Sequence, residues 1–80
     1  MDIEALQRVS EVRLLLASGE AREIRQSLRM SLREVAAALD TTPGTVSRWE
    51  AGRVQPRPAA ALKLADVLGL NPARNKARVA

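Results

Sequence analysis

Apolar and small residues recur at three- and four-residue intervals along most of this 80-residue chain, and no stretch shows the two-residue alternation of a strand. Ile3, Leu6, Val9, Val12 and Leu16 predict a first helix over Ile3–Ala17 with a broad apolar face, capped by Asp2 and broken at Ser18–Gly19. Leu14, Leu15 and Leu16 stand in succession and cannot all face one side of it. At least one is expected to be covered from outside the core or to form a modest exposed patch. Ala21, Ile24 and Leu28 predict a second helix over Glu20–Arg29, with Met30 as an apolar link. Pro58–Leu68 reads as the last helix, burying Ala61, Leu64, Ala65 and Leu68, stopped by Gly69 and closed by Leu70 folding back. Between Gly52 and that helix lies a loop, RVQPRP, whose prolines forbid a continuous helix. The pattern predicts an all-α fold of four or five helices.

The most informative stretch is 31–52, SLREVAAALDTTPGTVSRWEAG, which reads as two short helices at a sharp angle. Ser31 is an N-cap, and Glu34 completes a capping box. Val35, Ala36 and Leu39 share one face, and the alanines let another helix approach closely. Asp40 and Thr41 interrupt the pattern where a turn is needed. Thr42 then caps a second helix, Pro43 takes its first position and Gly52 ends it. Val46 and Trp49 face inward, which leaves Gly44, Thr45, Ser47 and Arg48 outside. A helix with a small, polar, cationic outer face suits the DNA major groove, which admits one helix.

Composition narrows the function further. The only aromatic residue is one tryptophan, so the core must be aliphatic. There is no cysteine, histidine or tyrosine, the acidic residues form no convergent pair and the glycines are isolated, so acid–base, thiolate, metal and phosphate-loop chemistry lack their usual parts. The reading is a non-enzyme with no metal and no cofactor. No apolar run approaches the roughly 20 residues of a membrane span, and the polar, acidic start is not a signal peptide. The expected location is the cytoplasm of a bacterium or phage-infected cell. The formal charge is +4, unevenly spread. Residues 1–20 hold two basic and four acidic residues, a net of −2, whereas residues 21–70 hold eight and five, a net of +3, and the last ten add three cations. Positive charge therefore gathers on the two-helix unit and the tail, as polyanion binding requires. Eleven of the thirteen cations are arginine, which forks onto phosphate and guanine, although a GC-rich genome produces the same excess.

Segment 21–70 resembles the phage Cro and repressor helix-turn-helix family, also called the lambda-repressor-like or xenobiotic-response-element (XRE) family. The residues that carry the resemblance are Arg25, Met30–Ser31, Val35–Ala36, Thr41–Thr42, Val46, Trp49–Glu50, Gly52, Leu64–Ala65 and Leu68–Gly69–Leu70. By that resemblance Arg25 and Glu50 form a partly buried ion pair between the first helix and the end of the recognition helix. The base-reading positions fall on Pro43, Gly44, Thr45 and Arg48, with Ser47 intermediate. Pro43 and Gly44 carry no polar side chain; Gly44 instead lets the helix approach phosphate or a thymine methyl closely. Arg48 is the expected specificity residue, paired with guanine O6 and N7. Arg53, Arg57 and the cap Thr42 are expected on phosphate. Where the family often has a phosphate-clamping glutamine this chain has Leu32, and Arg33 is expected to take that role.

The family usually ends in a fifth helix, often the dimer contact, but here Asn71–Pro72 and a basic tail follow. The expected organisation is an amphipathic helix over 1–18, used for packing or oligomerisation, a helix-turn-helix domain over 19–70, and a flexible basic tail over 71–80. The function so implied is a phage or bacterial repressor that occludes a palindromic operator in double-stranded DNA, as a homodimer at least when bound. Two alternatives use the same fold: an antitoxin that autoregulates and holds a protein partner through its N-terminal helix, and an interaction adaptor that no longer binds DNA.

Overall fold

A computed structural model describes residues 1–70; the expected basic tail over 71–80 lies outside the described residues. Within them the chain runs α1 (Ile3–Ser18), α2 (Glu20–Ser27), α3 (Leu32–Ala38), α4 (Pro43–Glu50) and α5 (Pro58–Val67). No strand occurs among the described residues. Three helices start on side-chain caps. Asp2 accepts from the Ala5 N–H at 2.7 Å. Ser31 and Glu34 form a reciprocal capping box, Glu34 N–H to Ser31 Oγ at 3.0 Å and Ser31 N–H to Glu34 Oε1 at 2.9 Å. Thr42 accepts from the Thr45 N–H at 3.2 Å. Each cap satisfies an N–H that the helix itself cannot pair.

The last four helices share one kind of ending. A residue with positive φ follows each C-cap: Arg29 (59°), Asp40 (56°), Gly52 (75°) and Gly69 (75°). The next N–H then reaches back five residues, from Met30 to the Arg25 carbonyl (3.1 Å), Thr41 to Ala36 (2.9 Å), Arg53 to Arg48 (3.1 Å) and Leu70 to Ala65 (2.8 Å). These are Schellman turns, which occupy otherwise unpaired carbonyls. The first of them corrects the sequence reading. Apolar spacing carried the second helix to Arg29, but Arg29 is the left-handed residue, so α2 stops at Ser27 with Leu28 as its cap. The early turn lets Met30 pack on the core and hands the chain to Ser31. The outer ends of α1 and α5 differ from expectation by a single residue.

The core gathers Val9, Val12 and Leu16 from α1, Ala21 from α2, Val35 and Ala36 from α3 with Leu39 beyond it, Val46 and Trp49 from α4, and Ala61, Leu64 and Ala65 from α5 with its cap Leu68. Alanine at 36, 61 and 65, each at most 1% exposed, allows close helix approach. α1 lies antiparallel on α5. Arg8, early in α1, is ion-paired to Asp66 at the end of α5, and Arg13, later in α1, donates to the Pro56 carbonyl just before α5 at 3.2 Å. This packing corrects a second expectation. Ile3 and Leu6 do not join Val9, Val12 and Leu16 in the core; they are 75% and 57% exposed. The contact with α5 selects a face centred on Val9, Val12 and Leu16, and rotates Ile3 and Leu6 away from it. Of the three consecutive leucines Leu16 is buried, Leu15 half-buried and Leu14 exposed.

Candidate nucleic-acid interface

Two short helices meeting across a tight turn, α3 and α4, present the residues singled out in the sequence. Pro43 occupies the first turn of α4, where its missing N–H costs no bond, while Val46 and Trp49 anchor the helix inward. That registration sends Pro43, Gly44, Ser47 and Arg48 to the surface, with Thr45 half-exposed. Thr42, Thr45 and Arg48 stand three residues apart and are linked. The two threonine hydroxyls share a hydrogen bond of 2.9 Å, and the Arg48 Nη2 donates to Thr45 Oγ1 at 3.4 Å. Arg48 thus lies back along the helix toward its N-terminus, its guanidinium close to Gly44.

Gly44 itself is not required by the fold. A Cβ placed there has as its nearest neighbours Arg48 Nη1 and Thr42 Oγ1, each at 4.0 Å, so alanine fits without a clash. Glycine inside a helix costs about 0.5–1 kcal/mol relative to alanine. Its presence leaves a bare strip of backbone on the outer face of α4.

Arg25 and Glu50 hold α4 to the helix that precedes the turn. Arg25 Nε donates to Glu50 Oε2 at 2.7 Å and Nη2 to Oε1 at 3.1 Å, while Nη1 donates to the Met30 carbonyl at 2.9 Å. The two side chains are only 10% and 9% exposed. A bidentate fork of this kind fixes direction as well as distance. It locks the end of the outward-facing helix to α2 and to the α2–α3 link together.

The remaining cations lie at separate points around this unit. Arg33 is exposed in the first turn of α3. Arg53 follows the Gly52 turn, its N–H on the Arg48 carbonyl at 3.1 Å, and Arg57 is the N-cap residue of α5. None of the three forms an ion pair or a side-chain hydrogen bond among the described residues. Arg22, which the sequence reading passed over, lines a cleft of about 170 Å³ with Arg25, Leu32, Ser47, Glu50 and Ala51. The cleft brings Arg22 and Ser47 to one place beside Leu32. The available signal was its position one helical turn before Arg25; the pairing with Ser47 exists only once α2 and α4 are packed.

Among the described residues no group of three His, Cys, Asp or Glu is placed to hold a metal ion, and no helix is long and apolar enough to cross a membrane. A protein-family model described as helix-turn-helix matches residues 22–74, more than half of the chain. No curated protein and no solved structure matches it.

Proposed function

The chain belongs to the Cro- and lambda-repressor-like (XRE) helix-turn-helix family, a DNA-binding family of transcription regulators, and on that premise we propose that it is a sequence-specific repressor of phage or bacterial type. α4 enters the major groove with Thr42, Gly44, Thr45, Ser47 and Arg48 toward the duplex. The observation that carries this reading is the hydrogen-bonded row Thr42–Thr45–Arg48, its two ends exposed beside a glycine that the fold does not need. Arg48 swings from Thr45 onto guanine O6 and N7, a contact worth about 1–3 kcal/mol of base discrimination. Thr45 meets a base edge or a thymine methyl, and the bare backbone at Gly44 permits close approach.

Phosphate contacts fall to Thr42, Arg33, Arg53 and Arg57. Arg22 joins them because its cleft adjoins Ser47 on the groove side of α4. Such contacts position the protein without selecting sequence. A single copy reads few bases, so two copies bind a palindrome, their α4 helices in successive major grooves about 34–36 Å apart. Repression then follows from occupying the promoter.

Selection of bound duplexes from a random pool tests the reading. A two-fold motif with half-sites roughly 10 base pairs apart is expected. Arg48→Ala should relax preference at one base pair in each half-site, while Arg57→Ala should weaken every sequence alike and reduce the salt slope by about one phosphate. A pool that enriches no motif at any salt concentration would refute it.

A further inference from the structure

α1 carries two apolar faces, and the core uses one of them. Val9, Val12 and Leu16 are buried, whereas Ile3, Leu6 and Leu14 are 75%, 57% and 68% exposed. With Ser10 and Ala17 these three form a stripe lying about 130° around the helix from the buried face, at 100° per residue. Leu6, Ser10, Leu14 and Ala17 of the stripe, with Arg13 beside them, wall a groove of about 390 Å³ whose far side is Gln55, in the loop between Arg53 and Arg57. Residues 71–80, NPARNKARVA, hold three cations and two asparagines, and Val79 is their only large apolar residue.

We propose that this stripe is the seam on which a second copy of the chain docks, the two α1 helices antiparallel about a two-fold axis at Ser10. A two-fold contact needs a surface complementary to itself, and the stripe meets that condition. Reversal about Ser10 sets Ile3 of one copy against Ala17 of the other, Leu6 against Leu14, Gln7 against Arg13, and Ser10 against Ser10. Leucine meets leucine, isoleucine meets a small methyl, a small side chain sits at the crossing point, and no like charges face each other. Charge does not oppose the contact. α1 itself carries Glu4, Glu11, Arg8 and Arg13, a net of zero within a chain of +4, so copies that repel as wholes meet here without net repulsion between the two helices.

The three large side chains expose on the order of 400 Å² per copy, so a pair buries less than a standard interface. The dimer is accordingly weak in free solution and is completed when both copies share one duplex. That second clause rests on the DNA-binding reading above; the seam itself does not. Because Gln55 borders the seam, docking brings the two arginine-bearing loops toward the axis.

Sedimentation equilibrium of the full chain without DNA, from micromolar to millimolar concentration, is the direct test. The wild type should associate reversibly, and Leu6→Glu or Leu14→Lys alone should weaken association by roughly 100-fold or more. The double variant Leu6→Glu/Leu14→Lys should regain it in a salt-sensitive form, because the opposite charges meet only when the helices run antiparallel. Ser10→Cys, the sole cysteine in such a chain, should cross-link to a dimer under mild oxidation, while Gln26→Cys on α2 should not. All these positions are exposed, so melting temperature and circular dichroism should stay near wild type, which verifies the fold. A wild type that remains monomeric overturns the proposal and leaves the stripe to a protein of different sequence. Single variants that associate normally, or a double variant as weak as the singles, overturn it too. Salt-dependent binding of a duplex by the single variants separates the two readings: if it persists while the seam fails, only the seam falls, and if association holds while no duplex binds, only the DNA reading falls.

Discussion

At the scale of single residues, Gly44 separates what folding needs from what recognition needs. The site has room for a methyl group, its closest neighbours standing at 4.0 Å, so Gly44→Ala should stabilise the protein by about 0.5–1 kcal/mol through lower backbone entropy in the unfolded chain. If the bare backbone serves close approach to DNA, the same substitution should weaken duplex binding. Thermal melting and binding anisotropy on one variant therefore give opposite signs. An alanine variant that melts higher and binds as before would remove Gly44 from the interface. Arg48 shows the complementary case. Its only polar contact among the described residues is the long one to Thr45, which orients the guanidinium and is readily exchanged for a base.

At the scale of elements, the helix ends hold the most testable energetics. Arg29 occupies a left-handed conformation at φ 59° without a side-chain bond or ion pair among the described residues. A side chain there costs roughly 1–2 kcal/mol that glycine avoids. Arg29→Gly should raise stability by about 1 kcal/mol, a rise of roughly 4–8 °C in melting temperature for a domain of this size, whereas Arg29→Val should lower it. The start of α3 predicts a pH effect. Hydrogen bonding from the Ser31 backbone N–H, assisted by the Ser31 side chain, holds the Glu34 carboxyl below its ordinary value of 4.5. A carboxylate favoured in the folded state stabilises the protein above its unfolded value, and that contribution disappears as pH falls through the lowered folded one. The stability difference between wild type and Glu34→Gln should be constant near neutrality and should close below about pH 4.5. A difference independent of pH would mean that the Ser31–Glu34 bond does not depend on charge.

At the scale of the whole molecule, Arg25 ties three parts of the chain with three donors, two to Glu50 and one to the Met30 carbonyl. Truncation to alanine would leave Glu50 sheltered without its counter-ion, at a cost of about 3–5 kcal/mol. An 80-residue protein is typically stable by about 4–12 kcal/mol, so Arg25→Ala should be largely unfolded or melt far below wild type. Replacing both partners by apolar residues, Arg25→Met with Glu50→Leu, should recover much of the loss, and denaturant titration of the three chains measures the difference. Two-state unfolding of the intact chain should include α1, since Val9, Val12 and Leu16 share one core with α4 and α5.

Much of this was written in local order along the chain. The caps at Asp2, Ser31 and Thr42, the proline at the start of α4, the inward pair Val46 and Trp49 and the left-handed turn at Gly52 depend on neighbours within four or five residues, so spacing alone determines them. Membership of the helix-turn-helix family was legible for the same reason. Tertiary packing decided the rest. α1 has apolar residues on two sides, and only the antiparallel contact with α5 determines that Val9, Val12 and Leu16 are buried while Ile3, Leu6 and Leu14 stay outside. α2 ends before Arg29 because a long-range need to place Met30 on the core outweighs the cost of a positive φ at a non-glycine residue. Arg22 and Ser47 share a cleft although 25 positions separate them in the chain. Periodicity reports which faces are apolar; which of two apolar faces is covered depends on the shape of a distant helix, and that information is absent from either segment read alone.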